Sequence, residues 1–172
     1  MALVECTESG LKFLIDEEQT FRPELDPAIE KLQRVKRCDF ITCHMGRQLV
    51  FVEVQSSAPS PLGDQDKVWA ELSECHDKFL HSLLLLLSHV CGRIVFSTFP
   101  EALNRYNLAA MPVRFVLLLP GFDREGCMHF QDKLQQQMAK VQRAFRHVEA
   151  YVVNKENALK KGIILAPTPA HS

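Results

Sequence analysis

The chain lacks any glycine-rich stretch: its seven glycines stand singly along 172 residues. That spacing excludes the phosphate-cradling and dinucleotide-binding loops, which need clustered glycines. A CxxC pair is missing too. Cys6, Cys38, Cys43, Cys75, Cys91 and Cys127 are scattered through mostly apolar runs and read as reduced core thiols. Neither sign of charge prevails, since 20 Lys and Arg meet 21 Asp and Glu. No global basic field therefore draws the protein to nucleic acid or to an anionic membrane, and any nucleic-acid contact must be local. The start, MALVECTESG, has no basic segment followed by an apolar one, so an intracellular location, cytoplasmic or nuclear, is expected. The most apolar stretch, Phe79 to Val90, is interrupted by His81, Ser82, Ser88 and His89. It falls short of the roughly 18 to 20 residues that a membrane span needs, and no membrane partner is expected.

What is present suits one α/β domain over residues 1–166, with a disordered tail at 167–172. The length is enough to bury a hydrophobic core without disulfide staples. Leu11 to Ile15 suits a strand. Asp26 as N-cap and Pro27 at the first helical position then start a helix whose apolar positions are Leu25, Ile29, Leu32 and Val35. Asp39 to Gln55 reads as two strands around a short loop, with Gly46 supplying the positive φ of a tight hairpin. Ser56 to Gly63 connects to a long helix, Gln65 to Cys91. Its Val68, Leu72, Cys75, Phe79, Leu83, Leu86 and Val90 keep three-and-four spacing, and Leu80, Leu84, Leu85 and Leu87 widen the stripe. Arg93 to Ser97 predicts a strand, and Pro100 to Leu108 a short segment. Val113 to Leu119, apolar on both faces, belongs in the middle of a sheet with helices on both sides. A helix marked by Phe130, Leu134, Met138, Val141 and Phe145, a strand from Val148 to Val153 and a short strand from Gly162 to Leu165 complete the pattern. The expected architecture is a mixed central sheet flanked by helices.

The chemistry concentrates in the first hairpin. In Leu49 to Gln55 the period of two puts Val50, Val52 and Val54 on one face, packed inward, and Phe51, Glu53 and Gln55 on the other. Centred on Gly46, the hairpin sets Asp39 directly opposite Glu53. Opposed residues have Cβ atoms about 4.5 to 5.5 Å apart, so two carboxylates there repel unless a cation intervenes. Two carboxylates with a backbone carbonyl suit Mg²⁺ (or Mn²⁺), which keeps several waters. Gln55, two residues further on the same face, would orient one of them.

Cys38-Asp39-Phe40-Ile41 followed by Phe51-Val52-Glu53-Val54-Gln55 resembles the Asp, then Glu-x-Lys, signature of the PD-(D/E)xK nuclease superfamily. The resemblance covers roughly the first ninety residues and implies a restriction-endonuclease-like core. It implies metal-dependent hydrolysis of DNA or RNA phosphodiester bonds, with Asp39 and Glu53 as metal ligands and Gln55 in the position of the family's lysine. An acidic residue upstream often completes such sites; Glu30, Glu24 and Glu17 are candidates, Glu30 being preferred. Glutamine can orient by hydrogen bonds but carries no charge for the developing phosphorane. Some similar proteins, restriction endonucleases among them, work with glutamine at that position, and others move the lysine to the following helix, where Lys67 and Lys78 lie here. Lys78 joins the catalytic candidates if it faces the hairpin.

Plainer readings compete. Asp39 and Glu53 also suit the solvated face of an edge hairpin. Lys31, Arg34, Lys36 and Arg37, on the helix leading into the hairpin, suit a solvated helix face, or hold phosphates beside a nuclease site. His76 and His81, five apart on one helix, point to different sides and do not make a metal pair. The alternative function is a catalytically inactive nuclease-like domain that binds protein or nucleic acid within a larger complex. A protein partner or a homodimer is compatible with either.

Overall fold

The computed structural model describes residues 2–44, 46–105, 107, 110–145 and 147–167. The expected tail from residue 168 onward lies outside them. A hairpin of β1 (Leu3–Glu8) and β2 (Leu11–Asp16) comes first, followed by the two-residue strand β3 (Thr20–Phe21). One helical turn, α1 (Pro27–Glu30), leads through an irregular segment to a hairpin of β4 (Phe40–His44) and β5 (Gln48–Val54). The long helix α2 (Gln65–Val90) is followed by the single turn α3 (Glu101–Asn104), β6 (Val113–Leu118) and α4 (Arg124–Ala144). The strand β7 (Val148–Val153) and the short helix α5 (Lys155–Lys160) come last.

Five strands form one mixed sheet in the order β3-β4-β5-β6-β7. Pairing is antiparallel from β3 to β5 and parallel from β5 to β7. The mixed, helix-flanked α/β sheet agrees with the sequence expectation. So does the register about Gly46, which adopts a φ of 64°. Phe40 pairs with Val52, Thr42 with Val50 and His44 with Gln48.

Both faces of the sheet are buried. Leu49, Phe51, Phe115, Leu117 and Val152 pack with Leu72, Phe79 and Leu83 of α2 and with Phe130, Leu134 and Met138 of α4. Phe115 stands between Phe51 and Phe79, with ring centroids 5.2 Å from each. Each such buried side chain contributes about 1.5–3 kcal/mol relative to exposure. The opposite face, Val50, Val52, Val54, Val116 and Leu118, packs on Phe13 and Ile15 of β2 and on Ala158 of α5. The second face of β6 is thus covered chiefly by a β-hairpin, where the sequence suggests helices. Because both rows of β5 are enclosed, Phe51 and Glu53 are as buried as the valines.

Helix α2 begins where its caps dictate, Asp64 accepting hydrogen bonds from the Asp66 and Lys67 amides. Val68, Leu72, Cys75, Phe79, Leu83 and Leu86 form its buried stripe, whereas Leu84 is half exposed. The helix expected from Leu25 to Val35 shrinks to one turn. Asp26 caps it through the Ala28 amide, but Arg34 takes a φ of 63° and the chain then docks along α2. The Lys36 amide donates to His81 Nδ1 and the Cys38 amide to Ser82 Oγ, contacts that replace helical ones. Leu32 and Val35 still reach the core, from irregular backbone.

The strand expected over Arg93 to Ser97 is absent: the segment turns so that Phe96 stacks on Phe21 and His89. Gly162 to Leu165 contributes one bridge, between Leu165 and Leu14. The strand β1 was not expected, because Glu5, Thr7 and Glu8 interrupt its apolar pattern.

Candidate active site

Glu53 ends the inward row of β5 on the α2 side and is only 2% exposed. Lys78, reaching in from α2, places its Nζ 2.6 Å from Glu53 Oε1 and 3.9 Å from a Glu74 carboxylate oxygen. Glu71, Glu74 and Lys78 share one flank of the helix by their three-and-four spacing. Glu53 Oε2 is buried and has no hydrogen-bond partner among the described residues. A carboxylate oxygen in that condition costs free energy unless a proton or a cation meets it.

Asp39 lies at the bend before β4, one step beyond the Phe40–Val52 pair and therefore at the register position across from Glu53. Its Oδ2 accepts the Val54 amide at 2.6 Å, so the opposed carboxylate also caps the end of the ladder. The tip of the β1–β2 hairpin folds over the same point, and Ser9 Oγ donates to the Val54 carbonyl at 2.8 Å. Arg22 sits 2.5 Å from Glu8 and 2.9 Å from Glu24.

The charges are unevenly matched. Burial, then the Asp39 charge, pushes Glu53 up to about 8, outweighing the Lys78 hydrogen bond and charge that pull it down. Burial also raises Asp39, against the Val54 amide and the Lys78 charge, with Glu24 adding to the rise. For Glu8 the causes of a raised pKa are burial and then Asp39. Partial burial works to lower Lys78, but the Glu53 hydrogen bond and charge prevail and raise it. Glu8, Glu24, Asp39, Glu53 and Glu74 thus outnumber Arg22 and Lys78 in one linked network.

The structure brings Asp39, Glu53 and Lys78 together. Gln55 is turned to α2, where its Nε2 donates to Glu71 and its Oε1 accepts from Cys75 Sγ at 3.3 Å. With both ends of its amide engaged there, Gln55 is a tether between β5 and α2, and Lys78 is the polar group that touches Glu53. Glu30 stands exposed at the end of α1; the acidic groups that act on Asp39 through charge include Glu24, and Asp39 acts in turn on Glu8. Lys31, Arg34, Lys36 and Arg37 do not form a helix face: they belong to the irregular segment, with Lys36 Nζ 3.4 Å from Asp77.

Sequence reasoning missed Glu8, Ser9 and Arg22. The Ser9-Gly10 dipeptide was the available signal, a turn that brings the two strands of the first hairpin back on themselves. Nothing local foretold that this turn would sit over Val54.

Among the described residues, no group of three or more His, Cys, Asp or Glu side chains is placed to hold a metal ion. The two opposed carboxylates fit an ion that takes few protein ligands and keeps water, as Mg²⁺ does. The orphaned Glu53 Oε2 is the atom that most requires such a partner. Against family models, curated proteins and solved structures, the chain has no match.

Proposed function

We propose that the chain is a metal-dependent nuclease with a restriction-endonuclease-like core, in which Lys78 of α2 takes the place of the lysine that the PD-(D/E)xK motif carries on its strand. The supporting observation is the Glu53–Lys78 contact at 2.6 Å beside the unpartnered Glu53 Oε2 and the Asp39 carboxylate. Asp39 and Glu53 would hold Mg²⁺ or Mn²⁺. Such an ion, when bound, lowers the pKa of a coordinated water and offsets phosphate charge. Lys78 orients Glu53 and sets a fixed positive charge where negative charge grows on a phosphodiester, a service Gln55 cannot perform. DNA and RNA are both within this reading. The carboxylate excess around the site argues that phosphate approaches only once a cation is there.

A second reading, an inactive nuclease-like domain that binds protein or nucleic acid, is favoured by Ser9. Its hydroxyl already occupies the Val54 carbonyl that would complete a metal site, and Glu53 is almost fully enclosed. Incubation of the purified chain with single-stranded and duplex DNA and RNA, with Mg²⁺ or Mn²⁺ and with chelator, separates the two. The nuclease reading expects metal-dependent cleavage that Lys78→Met reduces by about a hundredfold or more, equivalent to roughly 2.7 kcal/mol of transition-state stabilisation. Equal cleavage by Lys78→Met would remove Lys78 from the chemistry. Metal binding without cleavage of any of the four substrates would favour the second reading.

A further inference from the structure

On the sheet face turned away from Glu53, a cavity of about 340 Å³ opens beyond the cover of the β1–β2 hairpin. Its floor is apolar, built from Val50, Val116, Val153 and Ile163. Its rim is cationic: Arg114, Lys160 and Lys161 line it, and among the described residues no carboxylate does. The period of two explains the arrangement, because Val50, Arg114, Val116, Tyr151 and Val153 all project from one face of adjacent parallel strands. Short α5 then brings Lys160 and Lys161 over the edge.

Two cations meet on one ring. The Arg114 guanidinium lies 5.5 Å and the Lys161 ammonium 5.4 Å from the Tyr151 centroid. Cation–π attraction holds each of them, but like charges drawn to one ring repel each other. Arg114 is steadied by its Nε bond to Glu149 at 3.0 Å, which uses one of the five guanidinium N–H donors. A bound anion would meet Arg114 and Lys161 at a lowered ordering cost, since Tyr151 holds both and Glu149 holds Arg114 as well. His44 and Gln48 add neutral hydrogen-bonding groups at the same wall. Burial, then the Arg114 charge, lowers the His44 pKa and keeps its imidazole uncharged near neutrality. The volume is at the small end of the roughly 300–1,000 Å³ of small-molecule sites.

We propose that this cavity binds an organic phosphomonoester of nucleoside-monophosphate size, its flat or apolar body on the valine floor and its phosphate at Arg114, Lys160 and Lys161. The site is separate from the carboxylate pair and does not depend on the nuclease reading. The test is calorimetric titration of the whole chain, with chelator present, by AMP, UMP, adenosine and inorganic phosphate. AMP or UMP is expected to bind one per chain, at least about tenfold more tightly than either adenosine or phosphate alone, because each of those supplies only half of the contacts. The double variant Lys160→Ala/Lys161→Ala, both residues being exposed, is expected to melt like the parent and to lose at least about tenfold in affinity. Asp39→Ala is expected to bind as the parent does. Absence of monophosphate binding, affinity unchanged in the double variant, or binding lost in Asp39→Ala would each overturn the assignment.

Discussion

Lys78 Nζ lies 2.6 Å from Glu53 Oε1, and this contact between a helix and a strand is the only hydrogen bond of the buried Glu53 carboxylate among the described residues. A charge buried with one partner is costly to strip. Lys78→Ala is expected to destabilise the fold by about 3 kcal/mol above about pH 8, where Glu53 is ionised, and by less at neutral pH, where Glu53 holds its proton, read as a lower urea midpoint. The double variant Glu53→Gln/Lys78→Met should recover much of that loss, because neither remaining side chain is charged. If both variants melted like the parent, the contact would contribute nothing to stability.

The raised Glu53 pKa gives stability a pH dependence of definite sign. Folded Glu53 holds its proton to about pH 8, whereas the unfolded chain releases it near the ordinary glutamate value of 4.5. Between those values the folded state binds more protons, so metal-free stability should fall as pH rises through that window. Denaturant midpoints from pH 5 to 9 in chelator would show the decline. In Glu53→Gln it should be shallower, and an unchanged slope would assign the titration to other groups.

How far the sequence disclosed this site depends on the range of each interaction. The Asp39–Glu53 opposition was readable because a hairpin closed by Gly46 leaves one register for two strands, and the alternation of Leu49 to Val54 follows from the backbone alone. The three-and-four stripe of α2 and its Asp64 cap were readable for the same local reason. Tertiary docking hid the rest. Lys31 to Arg37 has the composition of a helix, yet the His81 and Ser82 contacts hold its far end in an irregular path. Gln55 looked like a water-orienting group until α2 supplied Glu71 and Cys75 as its partners. Ser9 reaches the site across 45 residues in its bond to Val54, a separation no sequence pattern spans, and Glu8 comes with it to face Asp39.

The Ser9 contact has a consequence for metal affinity. Ser9→Ala frees the Val54 carbonyl of its only side-chain donor among the described residues, at a cost of about 1 kcal/mol in stability. Mg²⁺ or Mn²⁺ should then bind at least as tightly as to the parent, by calorimetry. Weaker binding would mean that Ser9 helps to build the site.

The basic segment offers a separate test of nucleic-acid contact. Arg34 and Lys36 are exposed on the irregular segment before β4, and charge removal in Arg34→Gln/Lys36→Gln should weaken nucleic-acid binding uniformly across sequences. The slope of log affinity against log salt should become shallower by about one to two units for duplex DNA. An unchanged slope would locate phosphate contacts elsewhere.

The most direct test is calorimetric titration of the chain with Mn²⁺ and Mg²⁺, beside Asp39→Asn and Glu53→Gln variants whose folding is checked by their thermal melts. One ion per chain is expected for the parent, with a thermal midpoint that rises with metal concentration, the stabilisation reaching about 2.7 kcal/mol at a hundred times the dissociation constant. Both variants should lose binding while keeping the fold. A parent that binds no ion, or variants that bind it as the parent does, would contradict the assignment of Asp39 and Glu53 as a metal site.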